Sequence, residues 1–427
     1  MTIGTRVVRR TTPSQTWNID ADICVLGAGI AGTSAALEAA ALGRKVVLLD
    51  GLPTLGGQAV NSIIGTFCGL YSNGPNRFQL THGIADGILK DLGSQGALYH
   101  RVGPLTTTVY YDEVALARWI ETRIQGAGIK VVVGAVVRDA IREGRRVREL
   151  QVATRYGDVR ITADGFVDAS GDAVLAWTAG LPCREPDAPI YGTQMVVLEN
   201  LDEAHAPTRE ELDQRVREKA DHYGLPRKAG VAFFFPGRGT VVLNMTHIET
   251  PLEPVAASAN ALAGRAQADK VVAFMRAEFP EAFSKSRVRA YGLPGMRQTR
   301  WIIGTHHLTA DEVRSGTRCP DAVARTSWPI ELHDRLEGYV WEPFGDDHIH
   351  FVPLGSMTPP DCDNLVAAGR CIDGDAAALS SVRVMGPCIA MGAAAAHALD
   401  LAQKGSVHQI DRSALRERLR DNVDRGP

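Results

Sequence analysis

Between Ala21 and Gln58 the chain spells strand, glycine turn, helix, strand and acid in immediate succession. Asp22 to Leu26 is a short apolar strand and Gly27-Ala28-Gly29-Ile30-Ala31-Gly32 follows it. A small-residue helix then reaches Leu42, and Lys45 to Leu49 forms a second strand closed by Asp50. No other stretch restricts the fold as strongly, because parallel strands joined by a helix require a sheet covered on both faces. Glycines at this spacing, leaving a strand, opening a helix and followed about 20 residues on by an acid, form the dinucleotide-binding fingerprint. Gly27 permits the tight turn, Gly29 lets a pyrophosphate approach the backbone, and Gly32 lets the helix lie close on the strand. Ile30 and Ala31 open the helix, whose free N–H groups and positive dipole end face the pyrophosphate. Asp50 can accept hydrogen bonds from a ribose diol, and its charge repels the extra phosphate of NADP.

The residues after the acid narrow the nucleotide. Gly51-Leu52-Pro53-Thr54-Leu55-Gly56-Gly57-Gln58 resembles the segment after the ribose acid in glutathione-reductase-type flavoproteins. In that class a Gly-Gly pair lets the chain pass close to the FAD phosphates and ribityl chain. The resemblance implies cofactor contacts from Gly51, Gly56, Gly57 and Gln58. That class more often has Glu where this chain has Asp50, so the reach here is one methylene shorter.

With 427 residues, 45% of them hydrophobic and 22% charged, the chain is long enough for two domains, each with its own core. A formal charge of -3 leaves no basic excess to grip a phosphate backbone, which argues against nucleic acid as a partner. Cysteines 24, 68, 183, 319, 362, 371 and 388 contain no Cys-x-x-Cys pair. Their scatter argues against a redox dithiol, a zinc ribbon and a disulfide framework, and fits a reducing cytoplasm. Arg6, Arg9 and Arg10 precede a polar stretch without the apolar core of a signal peptide. No run of ~18 apolar residues is evident, so no membrane span is expected. Residues 1–20 read as a polar arm before the fold, suited to a dimer contact.

From Val60 to Leu105 the chain is rich in Gly, Ser, Asn and aromatics, and Thr66 to Tyr71 is expected to form a wall of the site. Asp112 to Gly126 predicts a helix with an apolar face, and Ile129 to Val133 a buried strand. Alternating runs at Val136–Ile141, Arg148–Thr154 and Asp158–Thr162 predict a β-meander. It feeds a return strand, Gly165–Asp168, that ends in Ala169-Ser170-Gly171-Asp172. This order is similar to that of the same flavoprotein class, which implies a backbone contact to adenine at Val137 and adenosine contacts at Ala169, Ser170 and Gly171. Asp168 and Asp172 read as turn caps.

The expected architecture is α/β: a Rossmann-type FAD-binding domain with a β-meander, assigned to residues 21–181 and 352–403. An inserted α+β substrate domain occupies 182–351 and a tail 404–427. Within the insertion, strands are expected at Ile190–Leu198, Val231–Phe235 and Thr240–His247, and helices at Arg209–Tyr223 and Ser258–Phe279. No second strand–Gly-x-Gly-x-x-Gly–helix unit is present, so a dedicated NAD(P) domain is absent.

Gly295-Met296-Arg297-Gln298-Thr299-Arg300-Trp301 and Trp328-Pro329-Ile330-Glu331-Leu332-His333-Asp334 resemble segments of bacterial FAD-dependent oxidoreductases. These are distantly similar to the flavoprotein subunits of fumarate reductase and succinate dehydrogenase. The resemblance implies that an Arg-x-x-Arg strand and a histidine lie toward flavin and substrate, making Arg297, Arg300 and His333 the candidate catalytic residues. An arginine would fix a carboxylate or developing oxyanion, and the histidine would give or take a proton. Asn364 to Asp375 reads as a strand into a tight turn, contributing Gly369, Arg370 and Asp375 to the cofactor site. Arg383 and Met385 precede an Ala-rich helix with Pro387 in its first turn. Its N-terminus, aimed at the flavin N1/C2=O edge, would stabilise the charge of the reduced cofactor.

His348-Ile349-His350 puts two imidazoles on one strand face beside Asp346 and Asp347, without a third ligand at recognisable spacing, so no metal is expected. No histidine follows Gly57 before His82, so FAD is expected to be non-covalent. The expected activity is hydride transfer between a small organic substrate, one bearing a carboxylate, and N5 of FAD. Two alternatives stay open. One is a hydroxylase using NAD(P)H and O2, because Gly374-Asp375-Ala376-Ala377 resembles the Gly-Asp motif of that class. The other is a non-catalytic binding protein on the same fold.

Overall fold

β1 (Thr16–Leu26) is the central strand of the largest sheet and begins earlier than the sequence pattern suggests. Its apolar end, Ile23–Leu26, is buried between β2 (Val46–Asp50) and the end of strand Gly157–Asp168. Its polar start pairs with Asp158–Thr162, so residues 16–20, expected in the arm, belong to the sheet. The computed structural model describes residues 3–7, 9 and 16–427. Arg6 and Arg9 lie in exposed coil, and Arg10 falls outside the described residues.

The parallel core runs Lys130–Val133, β2, β1, Gly157–Asp168 and Leu365–Ala367. Val136–Glu143 and Arg146–Thr154 join the first half of Gly157–Asp168 as the antiparallel meander. The expected third meander strand and return strand are one continuous strand, Gly157–Asp168. The helix Glu113–Gly126 is capped by Asp112, whose carboxylate accepts from the Val114 and Ala115 N–H groups at 2.9 Å.

Two helices sandwich closely beside this sheet. Helix α1 (Ile30–Ala41) is made of small residues that are mostly buried, and a Cβ on Gly392 would collide with the Ala31 carbonyl oxygen. Gly392 belongs to Met385–Ala402, an 18-residue helix of mean hydropathy 1.2 that is long and apolar enough to cross a membrane. The expectation of no such stretch is corrected here. Its apolarity has a structural reason, since 78% of it is buried inside the protein as a core helix.

The second core is confined to a four-stranded antiparallel sheet in the order Val231–Phe235, Thr240–Asn244, Val196–Glu199, Arg287–Tyr291. Helices Arg209–Tyr223 and Pro254–Glu278 pack on it. Trp301, Ile302, Ala322–Ala324 and Phe351, inside the expected insertion, lie instead in the main core. The last residues also pack there through Leu415, Leu419 and Val423.

Candidate active site

The glycine turn is held by contacts that other side chains would break. Gly27 has φ +100°, and a Cβ on it would strike the Ala169 carbonyl; one on Gly32 would strike the Gly27 carbonyl. Gly57, at φ +49°, passes so close to Gly29 that a Cβ would lie 2.6 Å from its Cα. Asp50 closes this turn, accepting from the Ala28 N–H through Oδ2 (2.6 Å) and from the Leu52 N–H through Oδ1 (2.7 Å). Burial raises its carboxyl above the ordinary value, against the opposing pull of the two N–H groups. The shorter acid therefore spends part of its hydrogen-bonding capacity on the turn itself.

A cavity of about 970 Å³ runs from this turn to the four-stranded antiparallel sheet. Its size is at the upper end of the range for small-molecule sites. Gly27, Gly29, Ile30, Ala31, Asp50, Gly51, Gly57 and Gln58 line its first wall. Val137, Ala169, Ser170, Gly171, Gly369, Arg370, Arg383 and Met385 reach it from the other sequence blocks. Arg370 is fixed by Asp172 Oδ1 at 2.6 Å and Thr299 Oγ1 at 2.9 Å.

Three of the expected cofactor residues do not line the cavity. Gly32 seats α1 on its strand, and Gly56, at φ +91°, donates its N–H to the Ala28 carbonyl at 2.9 Å. Asp375 caps the helix Ala376–Val382, accepting the Ala378 N–H, and also accepts the Ala310 N–H, both at 2.7 Å. An acid at that position serves an N-cap first.

At the far end, residues 296–300 form a loop, not the expected strand. Arg297, 8% exposed, lines the cavity and donates through Nη1 to the Tyr191 carbonyl at 2.6 Å. Arg300 does not line it: its Nε donates to the Asp172 carbonyl at 3.0 Å and its guanidinium lies 4.6 Å from the exposed Trp177 ring. His333 is also absent from the lining, fully buried behind Glu331. Glu331 does line the cavity, accepting the Trp328 indole N–H at 3.1 Å.

The sequence left several of these groups without a role. Glu331 was readable only as two residues from His333 on a short strand, Ile330–Leu332. Arg227 carried no signal, yet it is 1% exposed and donates through Nη1 to the Asn244 backbone oxygen (3.1 Å) and Oδ1 (3.0 Å). Tyr110, Phe233, Phe234, Trp328, Tyr339 and Trp341 give the far chamber aromatic walls. Burial, with repulsion from Arg227 and Arg383, pushes the Arg297 guanidinium well below its ordinary range, and burial lowers Arg227 and Arg383 as well. Burial and these arginines likewise depress His333 and His247, the latter to about 2.

His348 and His350 hydrogen-bond to each other at 3.1 Å, and His350 continues to Ser381 Oγ at 2.8 Å. Among the described residues a different trio, His306, Glu312 and Cys319, brings three ligand-type atoms within 4.8 Å, away from the cavity lining.

A parallel sheet with a glycine turn at a helix N-terminus, opening on a long cavity, is the arrangement of a dinucleotide-binding protein of the Rossmann-like class. The chain belongs to the FAD dependent oxidoreductase family, whose sequence pattern matches residues 22–419, and its cofactor is FAD. No curated protein sequence matches it. Among solved structures it is similar to a geranylgeranyl bacteriochlorophyll reductase-like protein from Thermoplasma acidophilum. The two share 14% identity over 95% of this chain and 85% of that one, with a TM-score of 0.50. A triple mutant of the flavin-dependent brominase Bmp2 shares 12% identity over 94% and 84%, with a TM-score of 0.48. CabE, an aromatic hydroxylase from angucycline biosynthesis, shares 13% over 95% and 68%, with a TM-score of 0.47. At 14% identity the likeness to the first of these is one of fold. The residues present fit FAD: the Gly29–Gly57 approach is a cradle a single methyl would fill, and Arg383 Nε is buried without a protein partner.

Proposed function

We propose that this protein transfers a hydride between a small carboxylate-bearing organic substrate and N5 of non-covalently bound FAD. The observation that carries this reading is the continuity of one cavity from the glycine turn to an aromatic chamber, with Arg297, Glu331 and Arg383 on its walls. FAD, when bound, supplies the hydride chemistry. On this reading Gly27, Gly29, Gly57 and the α1 N-terminus hold the pyrophosphate, Asp50 the ribose, and the Val137 and Ala169–Gly171 segments the adenosine. The N-terminus of Met385–Ala402 presents its positive end to the cavity, with the Gly386 N–H donated to the Cys68 carbonyl at 2.9 Å.

Arg297 and Arg383 orient a substrate carboxylate, because buried guanidiniums facing a single cavity-lining carboxyl, Glu331, leave positive charge to be matched by a ligand. The aromatic walls exclude water and hold an apolar body. Arg300 and His333 act from behind this wall, the first by fixing the Asp172 segment and the second through Glu331. The glutathione-reductase-type subclass and the distant fumarate-reductase likeness remain part of this proposal.

The test is the visible spectrum of purified protein, recorded anaerobically with NADH or NADPH, then with a panel of aromatic and aliphatic carboxylic acids, then in air. Anaerobic electron exchange with an organic acid alone, seen as bleaching of oxidised flavin or as reoxidation of dithionite-reduced flavin, is the expected result. Bleaching by pyridine nucleotide with substrate-stimulated O2 uptake marks the hydroxylase alternative, and protein without flavin marks the binding-protein alternative.

A further inference from the structure

A hydrogen-bonded chain of three links runs from an exposed turn to the cavity wall. The Leu336 carbonyl oxygen lies 2.8 Å from His247 Nδ1, and His247 Nε2 lies 2.9 Å from His333 Nδ1. His333 Nε2 lies 3.2 Å from Glu331 Oε1. Each link requires one proton between its two heavy atoms. A carbonyl only accepts, so His247 carries a proton on Nδ1 and its Nε2 is the acceptor of a neutral ring. His333 must then donate from Nδ1, which leaves a lone pair on its Nε2, pointed at a carboxyl oxygen. Two neutral imidazoles bring two protons to three links.

We propose that the third proton resides on Glu331 Oε1, so that Glu331 is a carboxylic acid at the cavity wall and the proton donor to the substrate. His333 and His247 are positioning residues that hold the acid through one fixed tautomer each. Two other locations for the proton exist beside an ionised Glu331: an imidazolium at His247, which is fully buried in the field of Arg227 and Arg297, or one at His333. That ring is fully buried, stacked on Tyr339 and edge-on to His247. It also lies in the field of Arg297, Arg227 and Arg383, which disfavours a further cation.

The groups facing Glu331 are Arg227, Arg297, Arg383, Cys68, Tyr339 and His333. The three guanidiniums favour the state after transfer. In the direction of substrate reduction the Glu331 O–H bond breaks, and a bond forms from that proton to the substrate atom left with the electron pair once the hydride that reduced FAD would supply adds to its neighbour. The O–H pair remains on a carboxylate in the field of the arginines and bonded by the Trp328 N–H; in the direction of oxidation that carboxylate takes the proton back. The donor role rests on the proposed activity, but the proton's location does not.

The test uses the FAD-loaded protein near neutral pH. Infrared difference spectra of wild type and Glu331→Gln should show the carbonyl stretch of a protonated carboxylic acid that shifts in D2O and is lost in the variant. Nitrogen-15 spectra of histidine-labelled protein should show His247 and His333 neutral and protonated on Nδ1. Gln at 331 should preserve both tautomers, since its amide can donate to His333 Nε2. With an acid that turns over, Glu331→Gln should lower kcat by about 10²–10⁴-fold while flavin stays bound. Absence of the infrared band, or a proton on His333 Nε2, overturns the assignment, and an unchanged kcat overturns the donor role. Protein without flavin would count against the proposed activity alone, because the infrared and nitrogen-15 measurements still locate the proton.

Discussion

Acidification should unfold this protein through its buried histidines before the ion-paired carboxylates titrate. His247 and His350 are both fully buried, and burial is the first cause of their depressed values, about 2 and about 3 against an ordinary 6.5. A group depressed in the folded state contributes its full stability above its unfolded value, and loses it as pH falls toward its folded value. Below 6.5 the unfolded chain takes up a proton at each ring while the native rings stay neutral. Each histidine thus shifts the balance by about 1.4 kcal/mol per pH unit. Two pH units below 6.5 the pair costs roughly 5 kcal/mol, comparable with the lower end of the ~5–15 kcal/mol that holds most domains folded. His333 is depressed in the same direction and adds to the slope. Asp363, Asp400 and Asp424 are held below their ordinary range, so their contributions fade only at lower pH. Urea midpoints between about pH 7 and pH 4.5 for wild type and His350→Gln measure the effect. The variant should lose about 1.4 kcal/mol per pH unit of the dependence. Equal slopes would refute a buried neutral His350 and the reasoning from burial with it.

Three further outcomes are expected. Gly57→Ala places a methyl against Gly29 at a positive φ, so about 1–2 kcal/mol of strain and about 1–3 of overpacking should open the turn. FAD titration should show affinity weakened by roughly tenfold or more. Asp50→Ala removes the acceptor of two short N–H bonds; urea melts should show a loss of roughly 2–4 kcal/mol together with weaker FAD binding. Arg297→Met leaves the glycine turn untouched and should retain flavin, while spectral titration shows organic-acid binding weakened by roughly 2–5 kcal/mol. Unchanged acid affinity would remove Arg297 from substrate recognition.

The nucleotide half of the cavity was legible because its parts are local. A turn, a helix N-terminus and an acid within 40 residues are specified by glycines with positive φ or close approaches, and those requirements are written in residue type. Legibility stopped where a residue's neighbour, and not its own backbone, decides its role. The Thr16–Asp20 half of β1 is polar and reads as an arm until Asp158–Thr162 lies beside it. Asp375 reads as a ligand for the cofactor until two N–H groups, one from Ala310 far along the chain, are found on its carboxylate.

The amino-acid sequence by itself determined a FAD-binding sheet and the glycine wall of the cavity, because those follow from short-range sterics and the helix dipole. Tertiary structure alone decided the chemical end. Different partners part Arg297, on the Tyr191 carbonyl, from Arg300, on the Asp172 carbonyl, and packing buries Arg227 and brings Glu331 to the cavity. A carbonyl 89 residues from His247 sets that ring's tautomer, and through His333 the place of a proton. Proton positions follow from which atoms face one another in space, and no spacing along the chain encodes that.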